Sequence, residues 1–282
     1  MTPIATVSGL PQPGRTLVMG VLNVTPDSFS DGGEWFDPDD AIAHGRQLVQ
    51  EGADIVDVGG ESTRPGAGLV GADEELRRVL PVILRLVEAG VVVSIDTMHA
   101  RVAEGAVRAG ARLVNDVSGG RADPGMLAVV ADLQVPYVCM HWRGHSDQMQ
   151  SRAVYDDVVS EVVAELAEQV DAALSAGVAR ERLVVDPGFG FAKNAEHNWE
   201  ILRRLNELDA LGLPVLIGVS RKTFLGTLLA DPAGTARPAR ERDDATVALT
   251  ALAAQQQVWG VRVHRVRPNR DAVAVVETLQ RP

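Results

Sequence analysis

Near its amino terminus the chain reads Met19-Gly-Val-Leu-Asn-Val-Thr-Pro-Asp-Ser-Phe-Ser-Asp-Gly-Gly33. Residues 17–22 are apolar and include β-branched members, which predicts a short buried strand that stops at Asn23. The residues that follow are mostly turn formers, so the sequence predicts a polar loop there. In parallel α/β sheets, the loops at the carboxyl ends of the strands carry the active site. The segment therefore predicts one strand of a parallel sheet with polar groups at its carboxyl end.

The same pattern of short apolar run, polar loop and helical segment recurs eight times along the chain. The predicted strands are residues 17–22, 55–58, 91–95, 112–114, 137–140, 183–185, 215–219 and 261–263. The predicted helices are residues 38–50, 73–88, 99–108, 124–132, 154–175, 196–208, 222–229, 243–256 and 269–279. Eight such units predict an α/β fold, the (β/α)₈ TIM barrel, with residues 1–282 as a single domain. An open doubly wound sheet is the alternative.

Composition and charge narrow the class of protein. Apolar residues make up 46% and charged residues 23% of the chain, as in ordinary globular domains. We expect a cytoplasmic protein, because no signal peptide is visible and no apolar run approaches the roughly 20 residues of a membrane span. The single cysteine, Cys139, lies in an apolar run, which favours a buried free thiol. The net charge of −11 argues against nucleic acid, so an anionic small-molecule substrate would need a local basic cluster.

Polar side chains follow every predicted strand. In chain order they are Asn23, Glu61, Thr63, Arg64, Asp96, Asn115, Asp116, His141, Asp186, Ser220, Arg221, Lys222 and His264. Arg262 lies two residues before His264, so both point to the same face of the last strand. The strand ends of a barrel converge on one mouth, so this coincidence predicts a composite active site rather than unrelated surface loops or a purely structural barrel. Simpler roles stay open for single residues: Asp96 and Asp186 as helix N-caps, Asn115 in a turn, Lys222 at a solvated helix start.

One group of these residues suits a flat nitrogen heterocycle. Asp96, Asn115 and Asp186 offer acceptors and an amide, and Lys222 adds a donor. A buried ring with an amino group and N–H groups needs such partners, because each polar edge left unpaired costs roughly 1–3 kcal/mol.

A second group suits phosphate. Thr63, Arg64, Arg262 and His264 offer donors, and arginine can bind phosphate through two parallel hydrogen bonds. Asn23 offers a neutral oxygen to a Mg²⁺ ion held mostly by phosphate and water.

The motifs themselves resemble those of a known family. They are Asn23-Val-Thr-Pro-Asp-Ser-Phe-Ser-Asp-Gly-Gly33, Asp57-Val-Gly-Gly-Glu-Ser-Thr-Arg-Pro-Gly66, Ser94-Ile-Asp-Thr97, Asn115-Asp-Val-Ser-Gly119, Asp186-Pro-Gly-Phe-Gly-Phe191, Ser220-Arg-Lys222 and Arg262-Val-His264. In this order, over nearly the whole chain, they resemble the bacterial dihydropteroate synthases. The resemblance implies a (β/α)₈ barrel that joins 6-hydroxymethyl-7,8-dihydropterin pyrophosphate to 4-aminobenzoate, releasing pyrophosphate in folate biosynthesis. It also implies a homodimer, and the family is the target of sulfonamides, which act on it as mimics of 4-aminobenzoate.

Carried over residue by residue, the resemblance implies a role for each position. It implies pterin binding by Asp96, Asn115, Asp186 and Lys222, pyrophosphate binding by Thr63, Arg64, Arg262 and His264, and Mg²⁺ at Asn23. It implies 4-aminobenzoate binding by Phe29, Pro65, Phe191 and Thr223, and catalytic roles for Asp96, Asp31 and Lys222.

Two residues depart from the family pattern, and two other functions stay open. Arg265 stands where the family usually has an acidic residue, and Thr223 where it often has serine. A corrinoid-linked methyltransferase would share the pterin pocket but would not need Arg262, His264 or Phe29. An inactive paralogue acting as a binding protein is the other alternative, and intact polar residues at every strand end count against it.

Overall fold

The computed structural model describes residues 4–25, 38–61, 70–144 and 149–281. Its strands are β1 (Leu17–Asn23), β2 (Ile55–Gly59), β3 (Val93–Asp96), β4 (Leu113–Asp116), β5 (Tyr137–Met140), β6 (Leu183–Asp186), β7 (Leu216–Ile217) and β8 (Gly260–Val263). Its α-helices are α1 (Pro38–Gln50), α2 (Ala72–Glu88), α3 (Ala100–Arg108), α4 (Met126–Leu133), α5 (Val158–Ser175), α6 (Ala195–Arg203), α7 (Thr223–Leu228), α8 (Asp243–Gln255) and α9 (Val266–Gln280).

The strands form one parallel sheet that closes on itself. Their order is β6-β5-β4-β3-β2-β1-β8-β7. The two ends of this order meet where Val185 bridges Val215 in parallel and the Val185 amide donates to the Pro214 carbonyl at 2.9 Å. The predicted (β/α)₈ barrel is therefore confirmed, and the open doubly wound sheet is wrong.

Alternation along the strands divides the apolar residues between two cores. Because successive side chains of a strand point to opposite faces, Leu17 and Met19 of β1 face the barrel interior while Val18 and Leu22 pack under the helices. The interior core also contains Ile55, Leu113, Val138, Val184 and Leu216. Side chains thus fill the barrel as a packed core rather than leaving a pore.

The residues before β1 add to the interior core. Val7 and Leu10 are buried in it with Trp259, and the Ser8 amide donates to the Glu181 carbonyl at 2.9 Å, just before β6. Glu181 and Trp259 precede β6 and β8, so this segment packs at the amino-terminal end of the barrel. The polar side chains at the carboxyl ends of the strands lie at the opposite end of the barrel.

Several boundaries differ from the prediction for identifiable reasons. Helix α5 begins at Val158 rather than at residue 154, because the Asp157 carboxylate caps it by accepting from the amides of Val159 and Ser160. Helix α6 ends at Arg203, and a 3₁₀ turn, Leu205–Leu211, replaces its predicted last turn. Apolar periodicity alone does not separate an α-helical turn from a 3₁₀ turn.

Two further features concern covalent chemistry and membranes. Cys139 on β5 is a buried free thiol, as predicted, and burial raises its pKa. Among the described residues, no helix is long and apolar enough to cross a membrane.

Candidate active site

The carboxyl ends of the strands open into one cavity of about 1460 Å³. Every predicted site residue that the structure describes lines it: Asn23, Asp96, Asn115, Asp186, Phe191, Lys222, Thr223, Arg262 and His264. The other five predicted residues, Phe29, Asp31, Thr63, Arg64 and Pro65, lie outside the described residues. The strand-end pattern therefore converges on one place, as the barrel geometry requires.

Arg262 of β8 joins two carboxylates across the barrel. Its Nε donates to Asp57 Oδ2 and its Nη2 donates to Asp96 Oδ2, each at 2.6 Å. Burial alone would lower the pKa of Arg262, but the charges of Asp57 and Asp96 raise it, so the guanidinium stays charged. The predicted phosphate-binding arginine is thus held by acidic partners.

Asp57 is a polar member of this network to which the sequence analysis gave no role. It is fully buried on β2, and its Oδ2 also accepts from Asn115 Nδ2 at 3.0 Å. The available signal was an aspartate in the middle of a strand with apolar neighbours, since a charge there needs a buried partner. The contact also shows that Asn115 is tied to a neighbouring residue in the barrel rather than to a turn.

Asp186 ends β6 and is held by the loop that follows it. Its Oδ1 accepts from the Gly188 amide at 2.7 Å, while a Cβ placed on Gly218 would lie 3.5 Å from its Oδ2. The N-cap alternative is wrong for both predicted aspartates, because α3 is capped at His99 and α6 at Asn194.

Lys222 lies at the N-cap position of α7, yet its ammonium is turned into the cavity. Its Nζ is 4.2 Å from the centroid of the Phe191 ring, a cation–π contact. Gly190 permits this approach, since a Cβ there would come within 3.0 Å of Lys222 Cδ and the residue has φ +77°. The two residues predicted for the two substrates are therefore in contact.

Three of the predicted site residues in the cavity have pKa values near neutrality. Burial raises the pKa of Asp96 to about 7, against the opposing charge of Arg262, and raises that of Asp186 to about 6. Burial and then the charge of Arg262 lower the pKa of Lys222 to about 8. Strongly shifted groups that face one cavity are a signature of a functional site.

His264 is oriented by Ser220, another residue without a predicted role. The Ser220 hydroxyl accepts from the His264 backbone amide at 3.2 Å and lies 2.9 Å from Nδ1 of the ring. When the hydroxyl donates to Nδ1, the neutral ring carries its proton on Nε2. That tautomer suits a phosphate oxygen.

The side chains of Arg221 and Lys222 point in different directions, although the two residues are adjacent in sequence. Arg221 has φ +60°, a left-handed conformation, and its guanidinium forms a two-pronged ion pair with Asp243 at 2.8 and 2.9 Å. The turn therefore sends Arg221 to helix α8 while Lys222 contacts Phe191.

A buried lysine braces the loop between Asp186 and Phe191. Lys193 Nζ lies 2.9 Å from His141 Nδ1, 3.2 Å from the Gly188 carbonyl and 3.1 Å from the Phe191 carbonyl. His141 Nε2 in turn contacts Glu165 at 3.1 Å. Burial lowers the pKa of Lys193 to about 7 and that of His141 to about 4, so the imidazole is neutral and accepts from the lysine.

Among the described residues, one cluster of side chains could ligate a metal ion. Ligand atoms of Glu61, Glu75 and His99 lie within 4.8 Å of one another. His99 Nδ1 is already 2.7 Å from Glu75, and Glu61 accepts from the Val70 amide. Glu61 also lines the cavity, as does Asn23, the predicted Mg²⁺ ligand at the end of β1.

The sequence of the chain is also similar to that of a known protein family. A family model described as "Pterin binding enzyme" matches residues 19–264, which run from β1 to the histidine after β8. The chain belongs to this family of pterin binding enzymes.

Its relatives among pterin binding enzymes are dihydropteroate synthases. The one from Mycobacterium leprae (strain TN) is 55% identical over 260 residues, which are 92% of each chain. The Xanthomonas albilineans dihydropteroate synthase in complex with 7,8-dihydropteroate has a TM-score of 0.87 at 42% identity and covers 100% of both chains. The Yersinia pestis enzyme in a sulfonamide drug complex has a TM-score of 0.90 at 39% identity, covering 98% of this chain and 99% of that one.

Proposed function

We propose that the chain is a transferase that joins 6-hydroxymethyl-7,8-dihydropterin pyrophosphate to 4-aminobenzoate, giving 7,8-dihydropteroate and pyrophosphate. The observation that carries this proposal is the convergence of the described predicted residues on one cavity, in a chain 55% identical to a dihydropteroate synthase. We also propose that this pterin binding unit is a single domain spanning residues 1–282, supported by the membership of all eight strands in one sheet.

Asp96, Asn115, Asp186 and Lys222 form the proposed pterin pocket. The carboxylate oxygens and the Asn115 amide suit the amino and N–H groups of the ring, and Lys222 suits a ring oxygen or nitrogen. The support is that all four line the cavity, with Asp186 Oδ1 already fixed by Gly188.

The reaction breaks the bond between the pterin methylene carbon and the pyrophosphate oxygen. Electron release from the ring helps the leaving group depart, and ionised Asp96 stabilises the cation that remains, with Asp31 contributing from the first loop. The amine nitrogen of 4-aminobenzoate then bonds to the methylene carbon and loses a proton. The aromatic amine is neutral at pH 7, so it needs no strong base.

Arg262 and His264, with Thr63 and Arg64, form the proposed pyrophosphate site. Arg262 and His264 line the cavity, and a guanidinium and a ring N–H are suitable donors to phosphate oxygens. Fixed donors at this position stabilise the negative charge that grows on the leaving oxygen.

Asn23 is the proposed protein ligand of Mg²⁺. Its half-buried amide at the end of β1 lines the same cavity as Arg262, and a neutral oxygen ligand suits an ion held mainly by phosphate and water. Such an ion neutralises charge on the leaving pyrophosphate. Pyrophosphate titrated with and without Mg²⁺ tests this: the ion should strengthen binding at least about tenfold in the native protein and not in Asn23→Ala, and equal gains in both would remove Asn23 as the ligand.

Phe191 and Thr223, with Phe29 and Pro65, form the proposed 4-aminobenzoate site. The support is the half-buried Phe191 ring beside Lys222, which can stack on a second aromatic ring and place it next to the pterin pocket. Thr223, the departure from the family pattern, is exposed at the first residue of α7 and keeps a hydroxyl there.

The assembly that we propose is a cytoplasmic homodimer. Exposed apolar side chains lie on the packed helices α8 and α9, namely Leu252, Val275 and Leu279, and a second copy of the chain would cover them. Leu279→Asp should lower the mass measured by light scattering to that of one chain. Val154→Asp, a matched change at an exposed valine outside these helices, should leave the mass unchanged.

The experiment that tests the reaction is pyrophosphate release measured with and without 4-aminobenzoate. We expect release that depends on both substrates and a loss of about 10²-fold or more in Asp96→Asn. Asp132→Asn makes the same chemical change at an exposed carboxylate of α4 and should be silent. Binding of the pterin without any turnover would favour the inactive paralogue, and methyl transfer from a folate to a corrinoid would favour the methyltransferase.

A further inference from the structure

Asp57 is fully buried and does not line the cavity, yet it contacts two residues that do. Its Oδ2 accepts from Arg262 Nε at 2.6 Å and from Asn115 Nδ2 at 3.0 Å. One oxygen atom therefore links a residue of the proposed pyrophosphate site to one of the proposed pterin pocket. Its other oxygen, Oδ1, has no hydrogen-bond partner in the described chain.

The contact with Asn115 determines which end of the amide faces Asp57. A carboxylate only accepts hydrogen bonds, so the amide must turn its Nδ2 toward Asp57. Its carbonyl oxygen, Oδ1, is then directed away from Asp57. An amide held this way offers an acceptor to a ligand in the cavity, which is what the N–H edge of a pterin requires.

The contact with Arg262 fixes one side of the guanidinium and leaves the other exchangeable. Nε is bound to Asp57, whereas Nη2 is bound to Asp96 at 2.6 Å. A phosphate oxygen that competes for Nη2 can replace Asp96 while Nε stays on Asp57. The charge-assisted hydrogen bond from Nε to the buried Asp57 carboxylate keeps the arginine in place during such an exchange.

We infer that Asp57 is a positioning residue for the proposed reaction: it sets the orientation of the Asn115 amide for the pterin and holds Arg262 while that arginine turns from Asp96 to pyrophosphate. The inference rests on the proposed function. Asp57 itself touches neither substrate and acts only through these two side chains.

Two substitutions of Asp57 test the orientation, because one keeps the shared acceptor and the other removes it. In Asp57→Asn, the amide oxygen can take the place of Oδ2 and accept from both Arg262 Nε and Asn115 Nδ2, so the orientation of Asn115 is kept. In Asp57→Leu, a side chain of similar length offers no acceptor, so the Asn115 amide and Arg262 both lose their anchor. Ser94→Ala is the matched control, because Ser94 is fully buried and pairs with Asp57 in the β2–β3 register.

The measurement is calorimetric binding of 6-hydroxymethyl-7,8-dihydropterin without pyrophosphate, together with thermal unfolding of each variant. Asp57→Leu and Asn115→Asp should each bind at least about tenfold more weakly than the native protein, whereas Asp57→Asn should bind better than Asp57→Leu. Ser94→Ala should bind normally. A residue that only supports the fold would lower the unfolding temperature in Asp57→Leu without changing its affinity for the pterin.

Two results would overturn the inference: native affinity in a folded Asp57→Leu, or an Asp57→Asn variant that loses as much affinity as Asn115→Asp. The second comparison holds even if Asp57→Leu does not fold. Failure of the proposed function looks different, because the native protein itself would then not bind the pterin.

Discussion

Nη2 of Arg262 lies 2.6 Å from Oδ2 of Asp96, so the proposed pyrophosphate site and the proposed cation-stabilising carboxylate are directly joined. Burial raises the pKa of Asp96 to about 7, and the guanidinium opposes that rise. Because Asp96 must be ionised to stabilise a cation, its charge and the position of Arg262 should control activity together.

The first prediction is an acid limb near pH 7 in the profile of kcat/KM, which reports groups of the free enzyme. The raised pKa means that Asp96 is neutral below about pH 7 and ionised above it. Activity should therefore rise about tenfold per pH unit up to that point. Asp96→Asn should lack this limb, whereas a native limb near pH 4 would show that Asp96 ionises normally.

The second prediction is that Arg262→Met moves this limb to higher pH. Removing the cation removes the largest influence that keeps the Asp96 pKa down, so more base is needed to ionise the carboxyl. A shift of about one pH unit or more is expected. Arg265→Met removes an exposed cation that also lines the cavity and should leave the limb in place. An unmoved limb in Arg262→Met would mean that a different group is titrating.

The third prediction concerns Asp186→Asn. The new side chain can keep its Oδ1 on the Gly188 amide, which places NH₂ where the native residue offers Oδ2 to the cavity. Loss of a charged acceptor costs about 1.5–3 kcal/mol, so pterin affinity should fall about 10- to 100-fold. Calorimetry with the pterin alone measures this fall, and unchanged affinity would exclude Asp186 from the pocket.

The fourth prediction concerns Lys193, the buried lysine that holds the Gly188–Phe191 loop. Lys193→Met leaves His141 Nδ1 and the carbonyls of Gly188 and Phe191 without their shared donor. Because this loop positions Asp186 and Phe191, KM should rise for both substrates, by about tenfold each, and the free energy of unfolding should fall by about 2 kcal/mol.

Substrate kinetics and thermal unfolding check the Lys193 variant together. The matched control is Arg203→Met, which removes an exposed cation from α6 and should change neither quantity. A rise in KM for one substrate only would mean that Lys193 supports the binding site of that substrate alone.

The barrel itself could be predicted from local patterns. Eight apolar runs separated by polar loops and helical segments require only the periodicities of strand and helix, and chain order determines which strand ends share a mouth. For this reason the sequence alone predicts that Asp96 and Lys222, far apart in the chain, belong to one site, and both line its cavity.

Helix ends were predicted less well because caps and 3₁₀ turns depend on local hydrogen bonds. The sequence also does not show which partner a polar side chain at a strand end will contact. Arg221 and Lys222 are adjacent and both basic, yet a left-handed backbone at Arg221 directs its side chain to Asp243.

The sequence alone determined the (β/α)₈ barrel, the end of it that carries the chemistry and the side chains available there, because these follow from short-range patterns repeated along one chain. Only the tertiary structure decided which of those side chains are partners. The pairing of Asp57 with Asn115 and Arg262 spans 58 and 205 residues. Such contacts arise when the closed barrel brings distant strands together and a buried charge must find donors there, a requirement that no local pattern in the chain encodes.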